Sequence, residues 1–105
     1  MKIALDFDGV IDRAPALFAA ISKSLRADGH EVHVISDFDE TFRRQREKEL
    51  AGFGIEYDVF AITADKAAYC LEHELDYSFD DDPHEYFPGL PVVLLGVIAT
   101  RRATT

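Results

Sequence analysis

The sequence contains a single cysteine, Cys70, among its 105 residues. One thiol excludes an internal disulfide framework and a zinc site built from several cysteines. A single free thiol also suits a reducing compartment. The apolar stretch at the start of the chain meets Asp6 and Asp8 at once, which leaves no room for the apolar core of a signal peptide. We therefore expect a cytoplasmic protein.

Basic residues and long hydrophobic runs are also scarce. The 11 Lys and Arg residues are outnumbered by 20 Asp and Glu residues, so the formal net charge is −9. Proteins that bind DNA or RNA generally use a positive field to displace counterions, so this composition disfavours a nucleic-acid partner. The longest apolar run, residues 91–99, is shorter than the roughly 20 residues of a membrane helix. We expect no association with a membrane.

Short apolar runs alternate with amphipathic segments along the chain. We predict strands at residues 2–6, 31–36, 57–63, 76–79 and 91–98, and helices from 15 to 26, from 39 or 40 to 51 and from 65 to 74. In the first helix, Leu17, Phe18, Ile21 and Leu25 share the predicted buried face, and Gly29 follows its end.

This order, β-α-β-α-β-α-β-β, indicates an α/β fold. Such alternation is typical of a three-layer, doubly wound (Rossmann-like) fold, in which helices cover both faces of a mostly parallel sheet. We expect about five strands in this sheet. Residues 1–100 would form one domain, and residues 101–105 a disordered tail.

Polar residues follow three of the predicted strands. In open parallel sheets, ligands bind beyond the carboxyl ends of the strands, near the point where the strand order reverses. The residues at these ends are Asp6 and Asp8 after the first strand, Ser36 and Asp37 after the second, and Asp80, Asp81 and Asp82 after the fourth, with Lys66 near the start of the third helix. We expect them to converge on one edge of the sheet.

The segment from Asp6 to Gly9 suits chemistry at that edge. Two carboxylates two residues apart point the same way if the chain stays extended, and Gly9 allows a sharp turn after Asp8. Such a pair can hold a hard divalent cation and leave one carboxylate free to attack a substrate. Taken alone, the motif fits an acidic turn after a strand equally well.

Each of the other candidate residues, taken singly, fits a structural role as well as a functional one. The Ser36 hydroxyl can donate to a phosphate oxygen, and Lys66 can neutralise a phosphate as a point charge. Each also fits a structural role, as a strand-end hydroxyl or a solvated lysine. The three adjacent carboxylates that begin at Asp80 repel one another, so folding them together is costly without a bound cation. Water and salt screen that repulsion if the turn is exposed.

The ordered set of these residues resembles the haloacid dehalogenase superfamily of phosphatases over residues 2–98. The Asp-x-Asp-x-Val/Thr motif of that superfamily is matched from Asp6 to Val10. Its later Ser or Thr, Lys and acidic pair are matched by Ser36, Lys66, and Asp80 with Asp81.

The resemblance implies a magnesium-dependent phosphatase that hydrolyses a phosphomonoester through an aspartyl-phosphate. Asp6 would be the nucleophile, and Asp8 would protonate the leaving oxygen and then activate water. Lys66 would offset the crowded negative charge.

The resemblance also implies a set of binding residues. Mg²⁺ would be held by the Asp6 side chain, the Asp8 carbonyl and Asp81, although the choice between Asp81 and Asp80 as the direct ligand stays open. Ser36, Gly9 and Lys66 would bind the phosphate, and Asp80, Asp82 and Asp37 would support the site.

No segment is long enough for the cap domain that most members of this superfamily carry. An uncapped site is open, and this usually goes with a macromolecular substrate or with a partner subunit that supplies the lid. The expected partner is therefore a phosphorylated small molecule or macromolecule, with a homo-oligomer as one way to cover the site. The alternative function is a catalytically silent module that binds a metal or a phosphate.

Arg43, Arg44, Arg46 and Lys48 form a basic cluster in the second predicted helix. Because Glu residues are interleaved with them, the pattern is typical of a solvated helix face.

Overall fold

The computed structural model describes residues 1–37 and 39–82. Four strands and three helices alternate there: β1 (Lys2–Asp6), α1 (Pro15–Ala27), β2 (Glu31–Ser36), α2 (Arg43–Phe53), β3 (Val59–Ile62), α3 (Lys66–Glu72) and β4 (Tyr77–Phe79). The strands form one parallel sheet in the order β3-β2-β1-β4, which confirms an α/β fold. The predicted fifth strand, residues 91–98, and the predicted tail, residues 101–105, lie outside the described residues. None of these three helices is long and apolar enough to cross a membrane.

Helices cover both faces of this sheet. Successive side chains of a strand point to opposite faces. On one face, Leu5 of β1 joins a buried cluster with Phe18 of α1 and Leu50 of α2. On the other face, Ala4 packs in a second cluster with Cys70 of α3. The described part of the chain therefore has three layers.

Helix α1 begins and ends where the sequence predicts, to within one residue. Pro15 occupies its first turn, where a missing N–H costs little, and Gly29 follows the helix with φ of 85°. Phe18 is buried, whereas Leu17 is 52% exposed. The prediction that Leu17 faces the core is wrong, because the buried stripe runs through Phe18, Ile21 and Leu25 and leaves Leu17 on its solvent side.

The connection between β2 and α2 differs from the predicted continuous helix. A short 3₁₀ turn, Glu40–Phe42, comes first, and the Asp39 side chain caps it by accepting from the Thr41 N–H at 3.1 Å. The α-helix proper follows as Arg43–Phe53. The helical period of the sequence predicts one shared face for Phe42, Arg46, Leu50 and Phe53. Phe42 is nevertheless 46% exposed, because it belongs to this tighter turn.

Helix α3 connects β3 at one edge of the sheet to β4 on the far side of β1. It therefore crosses the face that carries Ala4 and Ile35, and it packs there through Cys70. This crossover reverses the direction in which strands are added to the sheet. The point of reversal lies between β1 and β4, where a ligand site is expected in open parallel sheets.

Candidate functional site

The carboxyl ends of β1 and β4 lie side by side at this reversal point. Leu5 pairs with Phe79 across the two strands, so the residues that follow them, Asp6 and Asp80, are neighbours at the carboxyl ends of β1 and β4. An open pocket of about 400 Å³ lies at this edge, and its described lining residues are Asp6, Asp8, Gly9, Asp37, Lys66, Asp81 and Asp82. The structure thus brings most of the predicted site residues to one place.

Asp6, Lys66 and Asp80 form a buried ion cluster beside the pocket. Lys66 Nζ lies 2.9 Å from Asp6 Oδ1 and 3.2 Å from Asp80 Oδ2. All three residues are at most 3% exposed. When both carboxyl groups are ionised, two negative charges face one positive charge in a region shielded from water. Such an arrangement favours an additional cation, since burial of uncompensated charge is costly.

The pKa of Asp6 reflects this burial. Loss of water around the carboxylate raises the pKa of Asp6 from 3.8 to about 8, against the opposing effect of Lys66, and the charges of Asp80 and Asp81 raise it further. Burial also acts to lower the pKa of Lys66, but its contacts with Asp6 and Asp80 outweigh that effect and raise this pKa. Lys66 is therefore protonated at neutral pH, and a cation bound in the pocket would promote ionisation of Asp6.

A single turn, Phe7–Ile11, carries the chain from β1 towards α1. The Phe7 carbonyl closes it by accepting from the Asp12 N–H at 3.1 Å. Phe7 is buried in the core, whereas Asp6 and Asp8 on either side of it line the pocket. Asp8 is extended, with φ of −82° and ψ of 128°, and both Asp6 and Asp8 border the same pocket.

Gly9 is required by the turn and by its close contact with Asp81. Its φ is 81°, in the left-handed region that other residues rarely adopt, and its N–H donates to Asp12 Oδ1 at 2.8 Å. A Cβ atom at position 9 would overlap the Asp81 carboxylate. The absence of a side chain here therefore lets Asp81 lie against the backbone of the turn.

Asp8 lies between the pocket and helix α2. Its Oδ1 is 3.6 Å from Arg46 Nη2, and its Oδ2 is buried and makes no hydrogen bond to the residues that the structure describes. Burial raises the pKa of Asp8, and Arg46 opposes that rise without cancelling it. A carboxyl group with a raised pKa suits proton transfer at neutral pH.

The acidic run after β4 divides into one inward and two outward residues. Asp80 Oδ1 accepts from the Asp82 N–H at 2.7 Å while Oδ2 pairs with Lys66. Asp81 and Asp82 are exposed at the pocket. Carboxylate oxygens of Asp6, Asp80 and Asp81 lie within 4.8 Å of one another. This group is the candidate metal centre.

Ser36 is placed differently from the other predicted site residues. It is completely buried at the end of β2, where its carbonyl accepts from the Thr63 N–H at 2.9 Å. It is not among the described residues that line the pocket, although its neighbour Asp37 is.

Arg46 is a site residue that the sequence interpretation missed. That interpretation placed Arg46 on the same helical period as Leu50 but took its basic cluster for a solvated face, whereas its side chain is only 16% exposed and contacts Asp8. Its spacing contained the signal, because Arg46 lies four residues before Leu50, which is completely buried.

No protein-family model, curated protein or solved structure matches this chain.

Proposed function

We propose that this protein is a magnesium-dependent phosphohydrolase that transfers the phosphoryl group of a phosphomonoester to Asp6 and then to water. One observation carries the proposal: the buried Asp6, Lys66 and Asp80 cluster opens onto a pocket that Asp8 also lines. A nucleophile, a proton donor and a fixed positive charge are thereby available at one point.

Asp6 is the proposed nucleophile. Its carboxylate attacks phosphorus, the bond between phosphorus and the leaving oxygen breaks, and an aspartyl-phosphate forms. Lys66 supports this step because its ammonium, 2.9 Å from Asp6 Oδ1, offsets repulsion between the carboxylate and the anionic phosphate. It also holds the Asp6 side chain in one orientation at the pocket.

Asp8 is the proposed proton donor and base. Its carboxyl group gives a proton to the leaving oxygen and, once ionised, removes a proton from the water that hydrolyses the aspartyl-phosphate. The raised pKa of Asp8 favours the first of these steps, and the nearby Arg46 guanidinium stabilises the anion needed for the second.

The residues present fit Mg²⁺. Magnesium prefers oxygen ligands, and carboxylate oxygens from three residues lie within 4.8 Å of one another. The proposed ligands are the Asp6 side chain, the Asp8 carbonyl and Asp81. Both oxygens of Asp80 already have partners, which favours Asp81 as the direct ligand. When bound, the ion supplies positive charge for the phosphate oxygens.

The proposal also extends to the fold, the cellular compartment and the partners of the protein. The fold would be a capless relative of the haloacid dehalogenase superfamily, with a fifth strand from residues 91–98, and the protein would be cytoplasmic. Lys66 and Gly9 are the proposed phosphate contacts, and Asp37, Asp80 and Asp82 support the site. The burial of Ser36 away from the pocket does not support its predicted contact with the phosphate. The open pocket suits a phosphorylated small molecule or macromolecule, and a second copy of the chain would be one way to cover it.

Hydrolysis of p-nitrophenyl phosphate by the purified protein tests the proposal. We expect turnover that requires Mg²⁺, stops with EDTA and returns when excess Mg²⁺ is added. Asp6→Asn should abolish it while the protein stays folded, because an amide of similar shape is a poor nucleophile. If Asp6→Asn keeps more than about a tenth of wild-type kcat at an unchanged circular dichroism spectrum, the assignment of the nucleophile is wrong.

A silent metal-binding module is the second candidate, and the group of Asp6, Asp80 and Asp81 favours it independently of turnover. Thermal unfolding in MgCl₂ and in NaCl at matched ionic strength separates the two functions. A site filled at a hundredfold excess over Kd adds about 2.7 kcal/mol, or very roughly 10 °C in Tm for a domain of this size. A rise specific to Mg²⁺ that Asp81→Ala removes, without hydrolysis of any phosphomonoester, would favour the module.

A further inference from the structure

Arg46 of α2 is held firmly behind the candidate site. The carbon of its guanidinium lies 4.5 Å from the centre of the Phe7 ring, and Nη1 is 2.9 Å from Glu49 Oε2. The contact with the Phe7 ring and the ion pair with Glu49 restrict the movement of the guanidinium. With 16% of the side chain exposed, Arg46 has little freedom to leave this position.

The fixed guanidinium presents its other end to Asp8. Nη2 lies 3.6 Å from Asp8 Oδ1, whereas Asp8 Oδ2 makes no hydrogen bond within residues 1–37 and 39–82. Arg46 is not among the described residues that line the pocket, so it contacts Asp8 on the side that faces α2. Among the described residues, the ion pair with Arg46 is therefore the polar contact of the Asp8 carboxyl group.

We propose that Arg46 is a positioning residue that holds Asp8 in the orientation needed to pass a proton to the leaving oxygen. The inference rests on the proposed phosphohydrolase function and adds a residue to it. In the step concerned, an Asp6 oxygen bonds to phosphorus, the leaving oxygen departs, and the Asp8 proton moves to that oxygen. A misaligned donor slows this proton transfer and leaves the attack by Asp6 intact.

Whether the leaving oxygen needs a proton from Asp8 depends on the leaving group, so two substrates with different leaving groups test the role of Arg46. An alkoxide must be protonated as it leaves, whereas p-nitrophenolate is a stable anion that leaves without a proton. We expect Arg46→Gln to lower kcat/KM for glycerol phosphate about tenfold more than kcat/KM for p-nitrophenyl phosphate, because kcat/KM reports the steps up to departure of the leaving group and excludes the later hydrolysis of the shared aspartyl-phosphate. Substrate binding itself should change little, because Arg46 is not among the described residues that line the pocket.

Three further variants separate positioning from a general structural role. Arg46→Lys keeps a positive charge near Asp8 and should recover part of the activity on glycerol phosphate; it also serves as the test variant if Arg46→Gln does not fold. Arg44→Gln changes an exposed arginine of the same helix and should leave both activities unchanged. Adding Arg46→Gln to Asp8→Asn should cause no further loss, because Arg46 acts through Asp8.

The outcomes also distinguish this inference from the function on which it rests. A wild-type protein without any Mg²⁺-dependent phosphatase activity overturns both. If the wild-type protein is active but Arg46→Gln lowers kcat/KM equally for the two substrates, or for neither, the phosphohydrolase stands and the positioning role is overturned. An additive loss in the double variant overturns the positioning role as well.

Discussion

Lys66 has its Nζ between two carboxylates, in a position that solvent barely reaches. Its charge is what makes the burial of Asp6 and Asp80 tolerable. From the sequence alone, Lys66 fits an exposed residue at the start of a helix as well as it fits a site residue. The contrast shows that, at the scale of one residue, the surroundings determine what the side chain does.

We predict that Lys66→Met lowers the free energy of unfolding in metal-free buffer by about 3–5 kcal/mol at pH 8, because both carboxylates lose their buried partner. The loss should be smaller at pH 6, where Asp6 can keep a proton. Urea unfolding at the two pH values measures this. Lys48→Met, at an exposed position of α2, is the matched control and should cost little. Equal losses for the two variants would contradict the ion cluster.

Gly9→Ala should weaken metal binding as well as stability. The new methyl group would displace the Asp81 carboxylate, and φ of 81° adds about 1–2 kcal/mol of backbone strain. We expect the rise in Tm caused by Mg²⁺ to shrink or disappear. Gly52→Ala is the matched control, since this helical glycine has open space around it and should gain about 0.5–1 kcal/mol. A Gly9→Ala protein with an unchanged Mg²⁺ response would show that Asp81 does not bind the ion.

At the scale of one element, the start of α3 decides where Lys66 lies. Asp65 precedes the helix, and its Oδ1 accepts from the Ala68 N–H at 3.0 Å, which satisfies a donor that the helix leaves without a partner. Lys66 follows as the first helical residue. The cap and the site lysine are therefore adjacent, and the end of the helix serves both stability and the site.

Removing this cap with Asp65→Ala should lower the free energy of unfolding by about 1 kcal/mol. Asp65→Ser keeps an oxygen that can accept from the same N–H, so it should recover most of the loss. Urea denaturation of the three proteins checks the prediction. Equal stability of the alanine and serine variants would mean that the cap does not stabilise α3.

For the molecule as a whole, part of the formal charge of −9 lies at one edge of the sheet, around the pocket. The raised pKa of Asp6 makes the stability of the fold depend on pH. Its pKa is about 8 in the folded state against 3.8 ordinarily, so between these values the folded protein binds a proton that the unfolded chain has released. Stability from this group is complete below pH 3.8 and is lost as the pH rises through 8.

We therefore predict that the metal-free protein has a lower Tm at pH 8 than at pH 6. Lys66 does not add to this change, because its pKa is raised above an already basic value and it stays protonated. Asp8 changes stability in the same direction, since its pKa is also raised. Thermal unfolding in EDTA measures the difference, and Asp6→Asn should reduce it. The same fall in Tm in wild type and Asp6→Asn would exclude Asp6 as its source.

The order of the described elements and the residues that follow each strand could be predicted from the amino-acid sequence. Both are local properties, since apolar periodicity marks strands and helices, and Pro15 and Gly29 mark the two ends of α1. The sequence analysis did not predict the short 3₁₀ turn before α2 or the exposure of Leu17 and Phe42. Periodicity shows which residues share a face but does not show how wide the buried stripe is.

Which of these residues contact one another, and how far each is shielded from water, depends on the packing of the elements and could not be predicted. The ion pair between Asp6 and Lys66 joins residues 60 positions apart, and it forms because α3 crosses from β3 to β4 over β1. The same packing turns Asp80 inward, leaves Asp81 at the pocket and places Arg46 beside Asp8. Desolvation and pairing of charges depend on the layers that enclose them, and no local pattern encodes that enclosure.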